Sequence, residues 1–386
     1  MTGNEPERTG EPVEAHPTLS FKAGGWVIIA SMLLSLALLC WGLAGVVFGE
    51  RPIGNGTDIL SYQFEIDNLT VARERVASSG NAREFLFTYR APDTILGRDM
   101  IMYNEKNRRP WVVTGDRVVG VRIGDEARAY PVRCLNAHEI VQDEIDGVPI
   151  VVTYAPFADA PVVFINGEGE AFRDFRVSGL LLDSALLMFD ARSENPSLWS
   201  TLFGDAISGP RVGTRLPEVA EVNLCLWKDW LARHPETTVI LPDPASKKRY
   251  RKISYLRYFN DISDSLKFPV SPLPPDNRSN PLLPRLKARV IAVTAGGVRR
   301  IWPLTMMVEA LGADRGTITV EQGGVPIRFL LNELPQTALV SAPDGVEITV
   351  QPRLWFAWYC SHPDSALEEL VTEMPENAII KPVTGN

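Results

Sequence analysis

Val118-Val-Gly-Val-Arg-Ile-Gly-Asp-Glu-Ala-Arg-Ala-Tyr-Pro-Val132 decides the fold class. The pattern returns without gaps as Val290-Ile-Ala-Val-Thr-Ala-Gly-Gly-Val-Arg-Arg-Ile-Trp-Pro-Leu304, with five identities in fifteen positions. Each copy alternates β-branched residues, turns at glycine and ends a second short run at proline, which predicts a β-hairpin. Two more patterns recur in the same order. Gly147-Val-Pro-Ile150 returns as Gly324-Val-Pro-Ile327, each opening an apolar run expected to be a strand, 150–154 and 327–331. W-x-x-W-x-x-x-H-P occurs as Trp227, Trp230, His234 and Pro235, and again as Trp355, Trp358, His362 and Pro363. At about 100° per residue the tryptophans and the histidine share one helical face, and the proline marks the helix end.

Three ordered matches predict an α+β fold, mainly antiparallel β with short helices, in two degenerate tandem copies. The expected divisions are a disordered tail (1–22), a transmembrane helix (23–49), a membrane-proximal segment (50–109), a first copy (110–245), a Pro-rich connector (246–289), a second copy (290–375) and a tail (376–386). A Trp/His stripe present in both copies suits packing better than a single active site. From the G-V-P-I glycine to the first tryptophan is 80 residues in the first copy and 31 in the second, an excess of about 49. That excess is expected to contain Ala155 and Ala158 and to house whatever specialised site the chain carries.

Residues 23–49 hold 27 positions without a charge. As a helix their apolar core spans roughly 35 Å, enough for a bilayer of about 30 Å hydrocarbon thickness. A cleaved signal peptide would be shorter and end in small residues, and Leu39 before Cys40 does not suit a lipoprotein signal. Arg8 and Lys22 on one flank against Arg51 on the other favour the tail inside and the body periplasmic or extracellular.

The net charge of −8 argues against a nucleic-acid partner, which needs a concentrated positive face. The run from Lys247 to Lys252 reads as a solvated loop beside the Pro-rich stretch. Outside the apolar segment only Cys134, Cys225 and Cys360 remain, with no C-x-x-C, and the body has only His138, His234 and His362. No disulfide framework, structural zinc site or multi-histidine metal centre is expected. No metal and no cofactor can be named.

His138-Glu139-Ile-Val-Gln142 comes nearest to a catalytic signature, yet glutamine stands where H-E-x-x-H needs its second ligand. No G-x-S-x-G elbow, Walker loop, G-x-G-x-x-G fingerprint or EF-hand occurs.

Gly120-Val-Arg-Ile-Gly-Asp-Glu-Ala-Arg-Ala-Tyr-Pro, Leu135-Asn-Ala-His-Glu-Ile-Val, Val152-Thr-Tyr-Ala-Pro-Phe-Ala, Val177-Ser-Gly-Leu-Leu and Leu198-Trp-Ser resemble the family catalogued as domain of unknown function 3179, over about residues 98–370. The resemblance implies an envelope-associated domain without an established reaction. Family members read T-Y-C-P-L-C-G where this chain has Thr153-Tyr-Ala-Pro-Phe-Ala-Asp159, so both cysteine positions are alanine. Alanine supplies neither a soft-metal ligand nor a dithiol couple. Candidate binding residues are His138, Glu139, Cys134, Asp159, Asp183 and Ser184. The leading expectation is a membrane-anchored binding or scaffold module, catalytically silent, for an unknown small molecule or envelope protein, with the bilayer held through residues 23–49. The alternative is a metal- or thiol-dependent oxidoreductase-like enzyme using His138. Convergence of His138, Cys134 and Asp159 would favour the enzyme, and an apolar setting for Ala155 and Ala158 the binding module.

Overall fold

The computed structural model describes residues 25–47, 52–167, 172–251, 255–259, 261 and 264–383. The chain divides into two units, residues 1–52 and 53–386. In the first, helix α1 (Gly25–Val47) is 23 residues long, with Trp26 and Trp41 both exposed. Among the described residues no helix is long and apolar enough to cross a membrane. The tail expected over 1–22 lies outside the described residues.

The second unit is mainly antiparallel sheet with short helices, the α+β class the sequence predicts. The opening stretch folds as strands β1 (Arg117–Ile123) and β2 (Glu126–Pro131), turned at Gly124, whose φ of 56° suits glycine. Pro131 ends the ladder and caps helix α2 (Val132–His138). Strands β3 (Ile140–Ile145), β4 (Val148–Ala155) and β5 (Ala160–Ile165) follow as an antiparallel meander. Then come β6 (Phe175–Leu182), β7 (Ala185–Asp190), β8 (Val222–Leu226) and helix α3 (Trp227–Arg233). The later part of the chain runs β9 (Arg289–Ala295), β10 (Val298–Pro303), helix α4 (Leu304–Leu311), β11 (Arg315–Gln322), β12 (Val325–Asn332), β13 (Thr337–Ser341), β14 (Thr349–Leu354) and helix α5 (Trp355–Tyr359).

Pairing registers coincide between these two series. Val118 faces Pro131 as Val290 faces Pro303. Ile145 faces Val148 as Gln322 faces Val325, and Val151 faces Phe164 as Arg328 faces Ser341. Leu226 faces Arg117 as Leu354 faces Arg289. Register puts corresponding residues on the same face, since a slip of one residue would turn every side chain over, yet burial differs: Ile150 to Ala155 of β4 are all buried, whereas β12 alternates and leaves Arg328 exposed. Trp230, Trp355 and Trp358 are fully buried, as a packing role requires.

Each W-x-x-W helix sets its tryptophans into its own series, Trp227 and Trp230 among Val118, Val119 and Val121, and Trp355 and Trp358 among Val290, Ala292 and Ile301, and turns other residues to the opposite series. Asp229 of α3 accepts hydrogen bonds from Arg315 Nη2 (2.6 Å) and Asn332 Nδ2 (2.7 Å) on β11 and β12. In return Phe356 and Ala357 of α5 join Ala155, Ala158 and Ala160 in one apolar cluster, and Leu354 N donates to Ala158 O at 2.8 Å.

The excess of the first series forms a sheet of its own: β6 and β7 with Leu198–Ser200, Ala206–Ser208 and Val76–Ser78. Ala155 and Ala158 do not belong to it. They sit at the β4–β5 connection, whose counterpart joins β12 to β13, so the expectation that they lie in the excess is corrected. Segment 50–109 is also more than a spacer: Tyr62 and Phe64 are core residues, and Tyr89–Arg90 and Thr94–Leu96 extend two sheets.

Candidate functional site

The connection between β4 and β5 brings Asp159 into the interior with φ 47° and 1% exposure. Its Oδ1 accepts from the Tyr154 hydroxyl and from Arg117 Nη2, both at 2.6 Å, and its Oδ2 from Arg289 Nε at 2.8 Å. Burial alone would raise the carboxyl pKa, but the two guanidinium groups outweigh it and hold Asp159 well below the ordinary carboxylate range. Arg117, Tyr154 and Arg289 border a cleft of about 750 Å³, walled by Tyr250, Tyr255 and Phe259 of the connector and by Val132 and Leu334.

His138, Cys134 and Glu139 lie together at the end of α2. His138 Nδ1 lies 2.6 Å from the Phe87 carbonyl, which can only accept, so Nδ1 carries the proton. Nε2 then accepts from the Tyr250 hydroxyl at 2.8 Å. Tyr250 oxygen in turn accepts from the Asp243 amide at 3.0 Å. Burial pushes the Cys134 thiol up to about 12, with the adjacent Tyr250 hydroxyl pulling the other way. Tyr250 thus gives its proton to His138 and one lone pair to the Asp243 amide. Burial also lowers the His138 pKa, which keeps the ring neutral. Glu139, at φ 57° and 7% exposure, has its pKa raised well above the ordinary value by burial.

Asp183 and Ser184 form the two-residue turn joining β6 to β7, with φ 50° and 68° as a type I′ hairpin demands. Asp183 pairs with Arg75 and accepts from the Ser271 amide at 3.3 Å, and Ser184 Oγ donates to Phe268 O at 3.4 Å. The six residues singled out in the sequence therefore occupy three places: the end of α2, the β4–β5 connection and the β6–β7 turn. Asp159 does not join His138 and Cys134 in any hydrogen bond. Ala155 and Ala158 are packed in the apolar cluster of α5. Among the described residues no three His, Cys, Asp or Glu side chains gather closely enough to hold a metal ion.

His234 packs at a tilt against Trp230 and His362 stacks on Trp358, with ring centroids 4.2 and 4.5 Å apart. Burial, then neighbouring arginines, depresses both histidines to about 4.

Sequence reasoning missed Arg117, Arg289, Tyr250 and Tyr255. For the arginines a signal existed: each immediately precedes its copy of the hairpin pattern, so extending the alignment by one position adds an identity. Tyr250 lies inside the basic run and carried no such signal.

In comparison with known proteins, the family described as Protein of unknown function (DUF3179) matches residues 99–365. No curated protein and no solved structure matches the chain.

Proposed function

This chain belongs to the DUF3179 family, and on that premise we propose that it is a membrane-tethered binding module whose ligand occupies the cleft bordered by Arg117, Tyr154 and Arg289. The observation that carries the reading is the cleft itself: about 750 Å³, with aromatic walls and a few convergent polar groups. Coincident registers support descent of the body from two tandem copies, with the cleft at their junction. The uncharged run of residues 23–49 supports an anchor, and the weak charge bias supports a body facing the periplasm or exterior.

An enzyme built on His138 has less support, because both ring nitrogens and the Tyr250 hydroxyl are engaged within the chain. Loss of the family's cysteine positions at Ala155 and Ala158 suits a silent member that retains its shape.

Native mass spectrometry of the full-length chain tests the binding reading. A small molecule should be retained by the unmodified protein and lost on Leu334→Trp, which narrows the cleft from its exposed wall. Failure to retain or be stabilised by any member of a broad metabolite library would sink it. Protease added to intact cells tests the tether and should degrade the body, whereas protection until the cytoplasm is opened would reverse the orientation.

A further inference from the structure

Arg117 and Arg289 bring two positive charges to one carboxylate, and both oxygens of Asp159 are already committed to them and to Tyr154. Asp159 remains ionised, so the cluster keeps an excess of one positive charge. Neither arginine can shed its proton. Nor are their donors exhausted. Arg289 reaches Asp159 through Nε, and among the described residues its two terminal nitrogens have no acceptor. Arg117 Nε is buried without a partner. A half-buried, incompletely neutralised guanidinium pair beside a cleft recruits an anion, because charge-assisted bonds from arginine to an oxyanion are among the strongest available.

The remaining charges fix how large that anion's charge is. Arg133 and Asp116 border the same cleft and offset each other at 3.5 Å. Glu333 also borders it, so the charges around the cleft balance three against three, and the positive excess is local to the Arg117–Arg289 pair, with Glu333 opposing a second negative group. A phosphate monoester carries about −1.5 to −2 at neutral pH and would overcompensate, whereas one carboxylate balances the excess. Tyr255, Phe259 and Leu334 supply apolar wall, with Phe259 beneath the Arg289 guanidinium at 5.3 Å.

We infer that the cleft takes a monoanionic organic acid, its carboxylate set between Arg117 and Arg289 and its apolar body against Tyr255, Phe259 and Leu334. The inference rests on the binding reading above and adds the ligand's charge and chemical class.

Ligand-observed NMR and calorimetry on the full-length chain, with phenylacetate, phenylacetamide and phenyl phosphate as probes, test it. Phenylacetate should bind, and the neutral amide at least tenfold more weakly. Arg289→Gln should lower phenylacetate affinity at least tenfold, while Arg289→Lys recovers part of it. Should Arg289→Gln fail to fold, Leu334→Trp blocks the cleft without touching the ion cluster and should abolish binding equally. Equal binding of acid and amide would overturn the anionic anchor and leave the binding reading standing. Preference for phenyl phosphate would overturn the charge count. If none of the probes binds although another molecule is retained in the cleft, the acid class is wrong. If nothing is retained and nothing binds, both readings fall together.

Discussion

Arg117 and Arg289 hold the same register position in two hairpins and grip opposite oxygens of a single carboxylate, Asp159, at 2.6 and 2.8 Å. Two corresponding residues thus meet at one group that has no carboxylate counterpart, since Gln336 stands in the matching turn.

Asp159→Asn leaves both guanidinium groups without their counter-charge. Breaking a buried pair in this way costs about 3–5 kcal/mol, measurable by urea unfolding of the full-length chain. A loss below about 1 kcal/mol would show that solvent, not Asp159, satisfies the arginines. Because the folded carboxyl is depressed, its contribution is present above the unfolded value of about 3.9 and is lost as pH falls from there toward the folded value.

His234 and His362 set a second pH dependence of different origin. Their folded pKa of about 4 lies below the unfolded value of about 6.5, so the unfolded chain takes up protons first. Stability should decline as pH drops from about 6.5 to about 4. Paired substitution His234→Phe and His362→Phe should flatten the melting temperature over that window. An unchanged slope would assign the effect to other groups.

Gly120→Ala should destabilise strongly. A Cβ there would stand 2.3 Å from the Trp230 ring, and the ring is fully buried. Overpacking of this kind costs about 1–3 kcal/mol or more. Gly213→Ala, where a Cβ meets nothing within 4 Å, is the control and should show only the backbone cost of its φ of 84°, about 1 kcal/mol. Equal effects would mean that Trp230 yields.

Tyr250→Phe removes the proton donor to His138 and the acceptor of the Asp243 amide. Each orphaned group costs about 1–3 kcal/mol where water cannot replace the hydroxyl. Faster hydrogen exchange at the Asp243 amide and proteolytic nicking near residues 243–250 are the expected outcomes. Unchanged exchange would mean that the connector is held elsewhere.

The purified full-length chain should carry no stoichiometric copper or zinc and show no dithiol redox activity. Ala155→Cys with Ala158→Cys should fold, at an overpacking cost of about 1–3 kcal/mol in the apolar cluster around α5, and gain one of those properties. Stoichiometric metal in the unmodified protein, lost on His138→Ala, would reverse the argument and restore the enzyme reading.

The hairpins at 118–132 and 290–304 and the two tryptophan helices were legible because their cues are local: period-two alternation, a turn glycine, a terminating proline, a three-and-four spacing. The contacts between the two series were not, since nothing in Asp229 says that its partners are 86 and 103 residues away. Of the candidate residues, Asp159 reached the cleft's border through its arginines. His138 and Cys134 were singled out for their chemistry, yet hydrogen bonding turned them to anchoring Tyr250. Asp183 and Ser184 resembled site residues because a type I′ turn favours short polar side chains as much as a site does. Arg117 and Arg289 were passed over because an arginine at a strand entrance is ordinary until its partner is known.

Contacts of the tryptophan helices with the opposite series bear on how the chain can be made. Asp229 is almost fully buried, and its partners Arg315 and Asn332 lie far downstream. Asn223 likewise waits for Val340, and Ala158 for Leu354. During synthesis, which adds about 5–20 residues per second, the earlier half emerges with a seat for α5 unfilled and with a carboxylate it cannot bury. These contacts are complete only once residue 354 has appeared, and pairing over such sequence distances slows folding. A nascent chain stalled before that residue would leave the Ala158 carbonyl without its Leu354 partner.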